Sequence, residues 1–211
     1  MYQPDLLINT LLYMNLLAHA YLSFDQPEVL VGNMINDYVK GKKQFDYPDA
    51  IHKGMILHRS IDDFTDTHPV TKKLKSYFKD EYRLYAGAFG DVVYDHFLAN
   101  DKNQFASDEI LQQFSTNVYK VLDEHIDLLP PTFQGMIPYM KKENWLYNYK
   151  SPKGIKNSFA GLVRRAAYIT DSDTAFKIFT EHYNDIQICY DEFFPQLKSF
   201  AAEKFRSLNQ L

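Results

Sequence analysis

The chain has 211 residues, 45% hydrophobic and 24% charged, with a formal charge of −4 at pH 7. That length suits one buried core rather than two, the apolar content excludes a disordered chain, and the negative balance argues against a dedicated nucleic-acid binder. Abundant aromatics (16 Tyr, 16 Phe) beside only 8 Gly and 9 Pro favour long helices packed by large side chains.

The first apolar segment, residues 5–24, reads DLLINTLLYMNLLAHAYLSF. Residues 1–5 carry no Lys or Arg, so a secretory leader is not expected. Asn9, Thr10, Asn15 and His19 interrupt the run at positions a membrane span would have to desolvate, so a buried helix is expected. Pro27 is placed to open a helix through Val29, Leu30, Met34, Ile35 and Tyr38, with Gly41 ending it. A loop follows over 41–48, and Lys40, Lys42, Lys43, Lys53 and Arg59 outnumber Asp46 and Asp49 across 38–60. Such a local patch can attract an acidic partner even on a net-negative molecule. A turn is expected near 66–69 and a break near 100–107.

Ile110, Phe114, Val118, Leu122 and Ile126 recur at four-residue steps and predict a helix over 108–129, capped by Ser107 and stopped by Pro130-Pro131. Residues 151–154, SPKG, read as a loop. A second long helical pattern runs from 172 to 206, with Pro195 expected to kink or divide it. The single cysteine, Cys189, cannot form an intramolecular disulfide; it reads as a buried thiol and a reducing, cytoplasmic home is the expectation. No strand alternation or repeat is evident. The expected fold is therefore all-α, a single-domain helical bundle of about eight helices.

Three polar pairs sit at helical spacing inside apolar surroundings: Asn33/Asp37, His58/Asp62 and Asp91/Asp95. Residues four apart share one helix face. Burying unpaired carboxylates costs several kcal/mol each, which a divalent cation offsets. Histidine with carboxylates suits Mn²⁺, Fe²⁺ or Zn²⁺, and oxygen-rich sets favour Mn²⁺ or Mg²⁺. A single His–Asp pair is more often a salt bridge; three pairs together favour a metal site in the bundle core. His96 follows Asp95 directly, but adjacent helical residues diverge by about 100°, so both reach one ion only at its edge.

The stretches MNLLAHAYLS (14–23), GNMINDYVKG (32–41), GMILHRSIDDFTDTHP (54–69) and DVVYDHFLA (91–99) resemble the acyl carrier protein phosphodiesterase family, relatives of the HD-type metal phosphohydrolases. Weaker matches at 144–149, 154–165, 182–183 and 193–197 extend the resemblance to almost everything from Met14 onward, so residues 1–13 read as an N-terminal extension and 14–211 as one distorted HD-like domain. The resemblance implies hydrolysis of the phosphodiester joining 4′-phosphopantetheine to a serine of holo-acyl carrier protein, with Mn²⁺ as the metal and Mg²⁺ or Fe²⁺ as substitutes. It implies His19, Asp37, His58, Asp62, Asp95 and His96 as metal ligands, and Asn33 and Asp66 as residues that orient them. Asp62 or Asp91 would act as general base, and Lys40 and Arg59 would contact phosphate.

An acidic carrier protein would be steered by surface cations such as Lys40, Lys42, Lys43, Lys72, Lys73, Lys75, Arg164 and Arg165. The family pattern often carries two basic residues after the motif histidine, whereas the second position here is Ser60. Two alternatives remain open at this point: a nucleotide or other small phosphoester as substrate, and a non-catalytic module that binds carrier protein. Neither nucleic acid nor membrane is expected as a partner.

Overall fold

The computed structural model describes residues 15–210. The expected N-terminal extension, and the first part of the apolar run, lie outside the described residues. The rest is all-α, and the described residues contain no strand. In chain order the helices are α1 (Leu16–Tyr21), α2 (Pro27–Ile35), α3 (Asp49–Thr67), α4 (Pro69–Tyr82), α5 (Ala86–Asn100), α6 (Asp108–Glu124), α7 (Pro131–Gln134), α8 (Ile137–Lys142), α9 (Trp145–Asn148), α10 (Pro152–Arg165), α11 (Asp173–Glu181) and α12 (Tyr183–Asn209). Eight of them, α2 to α6 and α10 to α12, have nine or more residues, as composition and periodicity led one to expect. No described helix is long and apolar enough to cross a membrane.

Helix α5 is the centre of the bundle. Nearly every residue from Ala86 to Ala99 is buried, and α1, α4, α10 and α12 all pack on it. A helix that is apolar on every side belongs inside a protein, and Asp91, Asp95 and His96 ride into the core with it. Phe78 of α4 and Phe159 of α10 lie against Phe89 at ring-centroid separations of 5.7 and 5.1 Å.

Helices α2 and α3 make the most intimate contact. A Cβ on Gly32 would stand 1.9 Å from the Ile51 carbonyl oxygen, and one on Gly54 would stand 2.2 Å from that of Val29. Backbone meets backbone there, which only glycine permits on both sides.

Several boundaries differ from the sequence expectation. Helix α2 opens at Pro27 but ends at Ile35, and a 3₁₀ turn (Asn36–Tyr38) carries Asp37, so Asn33 and Asp37 do not share one α-helix. Residues 41–46 form a second 3₁₀ turn that begins at Gly41 with φ +58°. Helix α6 is capped by Ser107, whose Oγ accepts from the Ile110 amide. It ends at Glu124 rather than at Pro130, and Ile110 and Ile126 face solvent. Ser151 is a cap and not part of a loop, since its Oγ accepts from Gly154 N at 2.9 Å. Pro195 lies within an unbroken α12, and the division falls at His182. A proline removes one amide donor from the helix; the acceptor so freed belongs to Asp191, and both residues are exposed, so water can serve it. Cys189 is buried, as expected.

Substituting Gly54 by Ala should lower stability by about 1–3 kcal/mol, read as a shift in the urea midpoint. An unchanged midpoint would contradict the backbone contact between α2 and α3.

Candidate metal centre

Asn33 is fully buried and works in two directions. Its Nδ2 donates to the His19 carbonyl at 2.8 Å and to Ser23 Oγ at 3.1 Å. That fixes the amide orientation and leaves Oδ1 facing His19 Nδ1 at 2.7 Å. An amide oxygen only accepts, so His19 Nδ1 carries the proton. The backbone carbonyl of Asn33 likewise accepts from His58 Nδ1 at 2.6 Å. One residue therefore fixes both imidazoles through their Nδ1 atoms. The rings stack 4.0 Å apart with planes 11° from parallel.

Both Nε2 atoms then face Asp62. His58 Nε2 is 3.0 Å from Asp62 Oδ2 along α3, and His19 Nε2 is 3.1 Å from Oδ1. His58 Nε2 also lies 3.2 Å from Asp37 Oδ1, which accepts from it. His19 Nε2 is close to its carboxylate oxygen but out of line with it, and remains a buried nitrogen with no hydrogen-bond partner. A buried ring nitrogen that faces a carboxylate oxygen without a hydrogen bond is costly, and a cation between them would relieve that cost. One ligand atom from each of His19, His58 and Asp62 lies within 4.8 Å of the others. The donor set and the orphaned nitrogen fit a divalent ion, and histidine ligands held through their other ring nitrogen are the usual arrangement around one.

The charges agree. Burial alone would lower the His58 pKa, but Asp62 and Asp37 outweigh it and hold it at about 10. Burial would raise Asp62, yet His58 and His19 outweigh that too and keep it below the usual carboxylate range.

Asp95 and His96 are not brought to this cluster. Asp95 Oδ2 accepts from Leu17 N at 3.0 Å and Oδ1 from Ala18 N at 2.9 Å, so the carboxylate caps α1, the helix that carries His19. His96 Nδ1 donates to the Tyr149 carbonyl at 2.7 Å, and Nε2 meets Tyr183 Oη at 3.2 Å. The 100° divergence of neighbours on α5 sends the two residues to different helices. Asp91 lies one turn before Asp95 on α5, and its carboxyl feels the charge of Asp95 as well as that of Asp62. It is buried without a hydrogen bond to any described residue, and burial, then the charge of Asp62, push its carboxyl well above the ordinary range.

Asp66 is exposed and ion-paired to Lys75 at 2.6 Å, away from the histidines. Arg59 is exposed and donates to Asn36 Oδ1 at 2.9 Å, and Lys40 is exposed. Ser60 donates back to the Ile56 carbonyl within α3. His182 is half-exposed and 3.8 Å from Asp185. Gly32 and Gly54 were not singled out from sequence, although a glycine inside a helical pattern signals close backbone approach.

Fold and site define an all-helical protein with a buried His–His–carboxylate constellation. Residues 14–197 match the family model described as acyl carrier protein phosphodiesterase. Proteins of that name from Serratia proteamaculans and Yersinia enterocolitica are each 31% identical over 191 residues, covering 90% of this chain and 99% of theirs. One from Pectobacterium atrosepticum is 30% identical over 188 residues, 89% of this chain and 97% of its own. No solved structure matches significantly. The chain belongs to the acyl carrier protein phosphodiesterase family.

With Mn²⁺ as a calorimetric probe, Asn33→Ala should weaken binding by about 10–100-fold by releasing both imidazoles. Because His58 stays protonated up to about pH 10, uptake near pH 8 should release a proton and affinity should rise with pH. Equal affinity in the variant, or uptake without proton release, would contradict the geometry.

Proposed function

We propose that this protein is a metal-dependent phosphodiester hydrolase that removes 4′-phosphopantetheine from holo-acyl carrier protein. The observation that carries the reading is the paired imidazoles whose Nε2 atoms share Asp62, one of them without a hydrogen-bond partner. His19, His58 and Asp62 are the ligands, with Asp37 alongside; this mixed set suits Mn²⁺, Fe²⁺ or Zn²⁺, and Mn²⁺ is the one the family resemblance implies. The bound ion would supply charge neutralisation and a more acidic water.

The remaining work falls to the chain. Asn33 keeps both rings in the ligating tautomer. Asp91 is buried without a hydrogen bond to a described residue, and burial, then the charge of Asp62, raise its proton affinity, the direction a carboxylate base requires. It accepts a proton from the attacking water as oxygen attacks phosphorus. The bond from phosphorus to the carrier serine breaks, and a proton restores the serine hydroxyl. Products are apo-carrier protein and 4′-phosphopantetheine.

Arg59, exposed and bonded to Asn36 beside Asp37, and Lys40, also exposed, would meet phosphate or carrier. Lys42, Lys43, Lys72 and Lys73 are exposed and can steer an acidic partner. Lys75 is less available, being tied to Asp66. The single buried cysteine and the carrier substrate support a cytoplasmic location.

Purified protein incubated with holo-acyl carrier protein and Mn²⁺ should yield apo-carrier protein by mass. Asp91→Asn should slow this by about 10²–10⁴-fold with Mn²⁺ affinity nearly unchanged. An unaltered holo mass with Mn²⁺, Mg²⁺ and Fe²⁺ would reject the reading. Faster cleavage of small phosphoesters than of carrier would move the substrate instead.

A further inference from the structure

A cleft of about 510 Å³ opens between α8–α9 and α10, a volume within the range of small-molecule sites, roughly 300–1,000 Å³. Met136, Tyr139 and Trp145 offer apolar surface to it, while Asn148, Asn157 and Ser158 offer hydrogen-bonding groups. Arg164 and Arg165 also line it. Although consecutive, these two converge: a Cβ on Gly161 would lie 3.5 Å from Arg164 Nη2 and 3.5 Å from Arg165 Nη1. Residues three and four positions along a helix lean back over the same site, and Gly161 places no side chain between the guanidinium groups. Two like charges gathered over one point form a receptor for an anion, and the planar fork of arginine suits phosphate.

Tyr38 links one wall of the cleft to the 3₁₀ turn that carries Asp37. Tyr38, the residue after Asp37, donates its hydroxyl to Met136 Sδ at 3.3 Å. The Tyr38 hydroxyl feels the charges of both Asp37 and Arg165.

We propose that this cleft binds the pantetheine arm of the phosphodiester, with Arg164 and Arg165 gripping its phosphate end beside Tyr38. The inference rests on the function proposed above and adds where the substrate's organic part sits. The arm is a flexible chain with two amides, a hydroxyl and a dimethyl carbon. It needs alternating polar and apolar wall, which is what the Asn148–Asn157–Ser158 side and the Met136–Tyr139–Trp145 side supply. Cations alone would bind phosphate but would give no preference for the arm.

Trp145 is the only tryptophan of the chain, so its emission reports occupancy directly, without turnover. Full-length metal-free protein is titrated with 4′-phosphopantetheine, pantetheine and inorganic phosphate. Both organic ligands should change the emission saturably, and phosphate at equal concentration should not. Gly161→Leu, or Ser158→Leu should the first variant not fold, should raise both dissociation constants at least about tenfold by filling the cleft. Replacing Arg164 and Arg165 together by Ala should weaken 4′-phosphopantetheine at least about tenfold and pantetheine less than about twofold. No saturable response to either organic ligand, or unchanged affinity in a folded filled variant, overturns the proposal. Saturable binding without cleavage of holo-carrier protein would count against the hydrolytic reading and leave the cleft standing. Cleavage with no Trp145 response would do the reverse.

Discussion

The amide and the carbonyl of Asn33 hold two histidines at once, and everything at the site follows from that pair of contacts. His19 comes from α1 and His58 from α3, and neither helix alone brings their rings together. Asn33 accepts from the Nδ1 of each, so both Nε2 atoms turn the same way, onto Asp62. The reach is short because Gly32, the preceding residue, lets α2 lie on the backbone of α3 at Ile51 and Gly54. A side chain at either glycine would separate the helices and lengthen the contact from Asn33 to His58.

Three aspartates are drawn into the same region, and each meets the cost of burial differently. Asp95 is satisfied by two backbone amides and in return fixes the start of α1, so it acts on His19 from behind. Asp62 is flanked by two imidazoles and is held ionised. Asp91 has no hydrogen bond to a described residue; burial and then the charge of Asp62 raise its proton affinity, and Lys75 offsets that only in part. That division gives one structural carboxylate, one charged ligand and one group poised to take a proton.

The His58–Asp62 pair was legible in the sequence because both residues lie on one helix, where spacing determines proximity. His19 and Asp37 could be named from the motif, but their geometry depends on how α1 and α2 cross α3, which spacing does not encode. The DH motif misleads in the opposite way. Asp95 and His96 look like ligands, yet α5 is surrounded on all sides, and each residue finds a partner on a different neighbour. The all-α class and the central helical segments followed from periodicity. The expected stop at Pro130 and the kink or division at Pro195 did not, since α6 turns off earlier and Pro195 sits where water can replace the lost bond. The convergence of Arg164 and Arg165 over Gly161 was hidden because they appeared only as two surface cations.

The account stands on a single ion held between two fixed imidazoles and Asp62. Crystals grown with Mn²⁺ and measured at a wavelength where manganese scatters anomalously locate such an ion without further assumption. The account requires a peak within bonding distance of His19 Nε2, His58 Nε2 and an Asp62 oxygen. A peak at Asp95 and His96, or none in the cluster at saturating Mn²⁺, would contradict it.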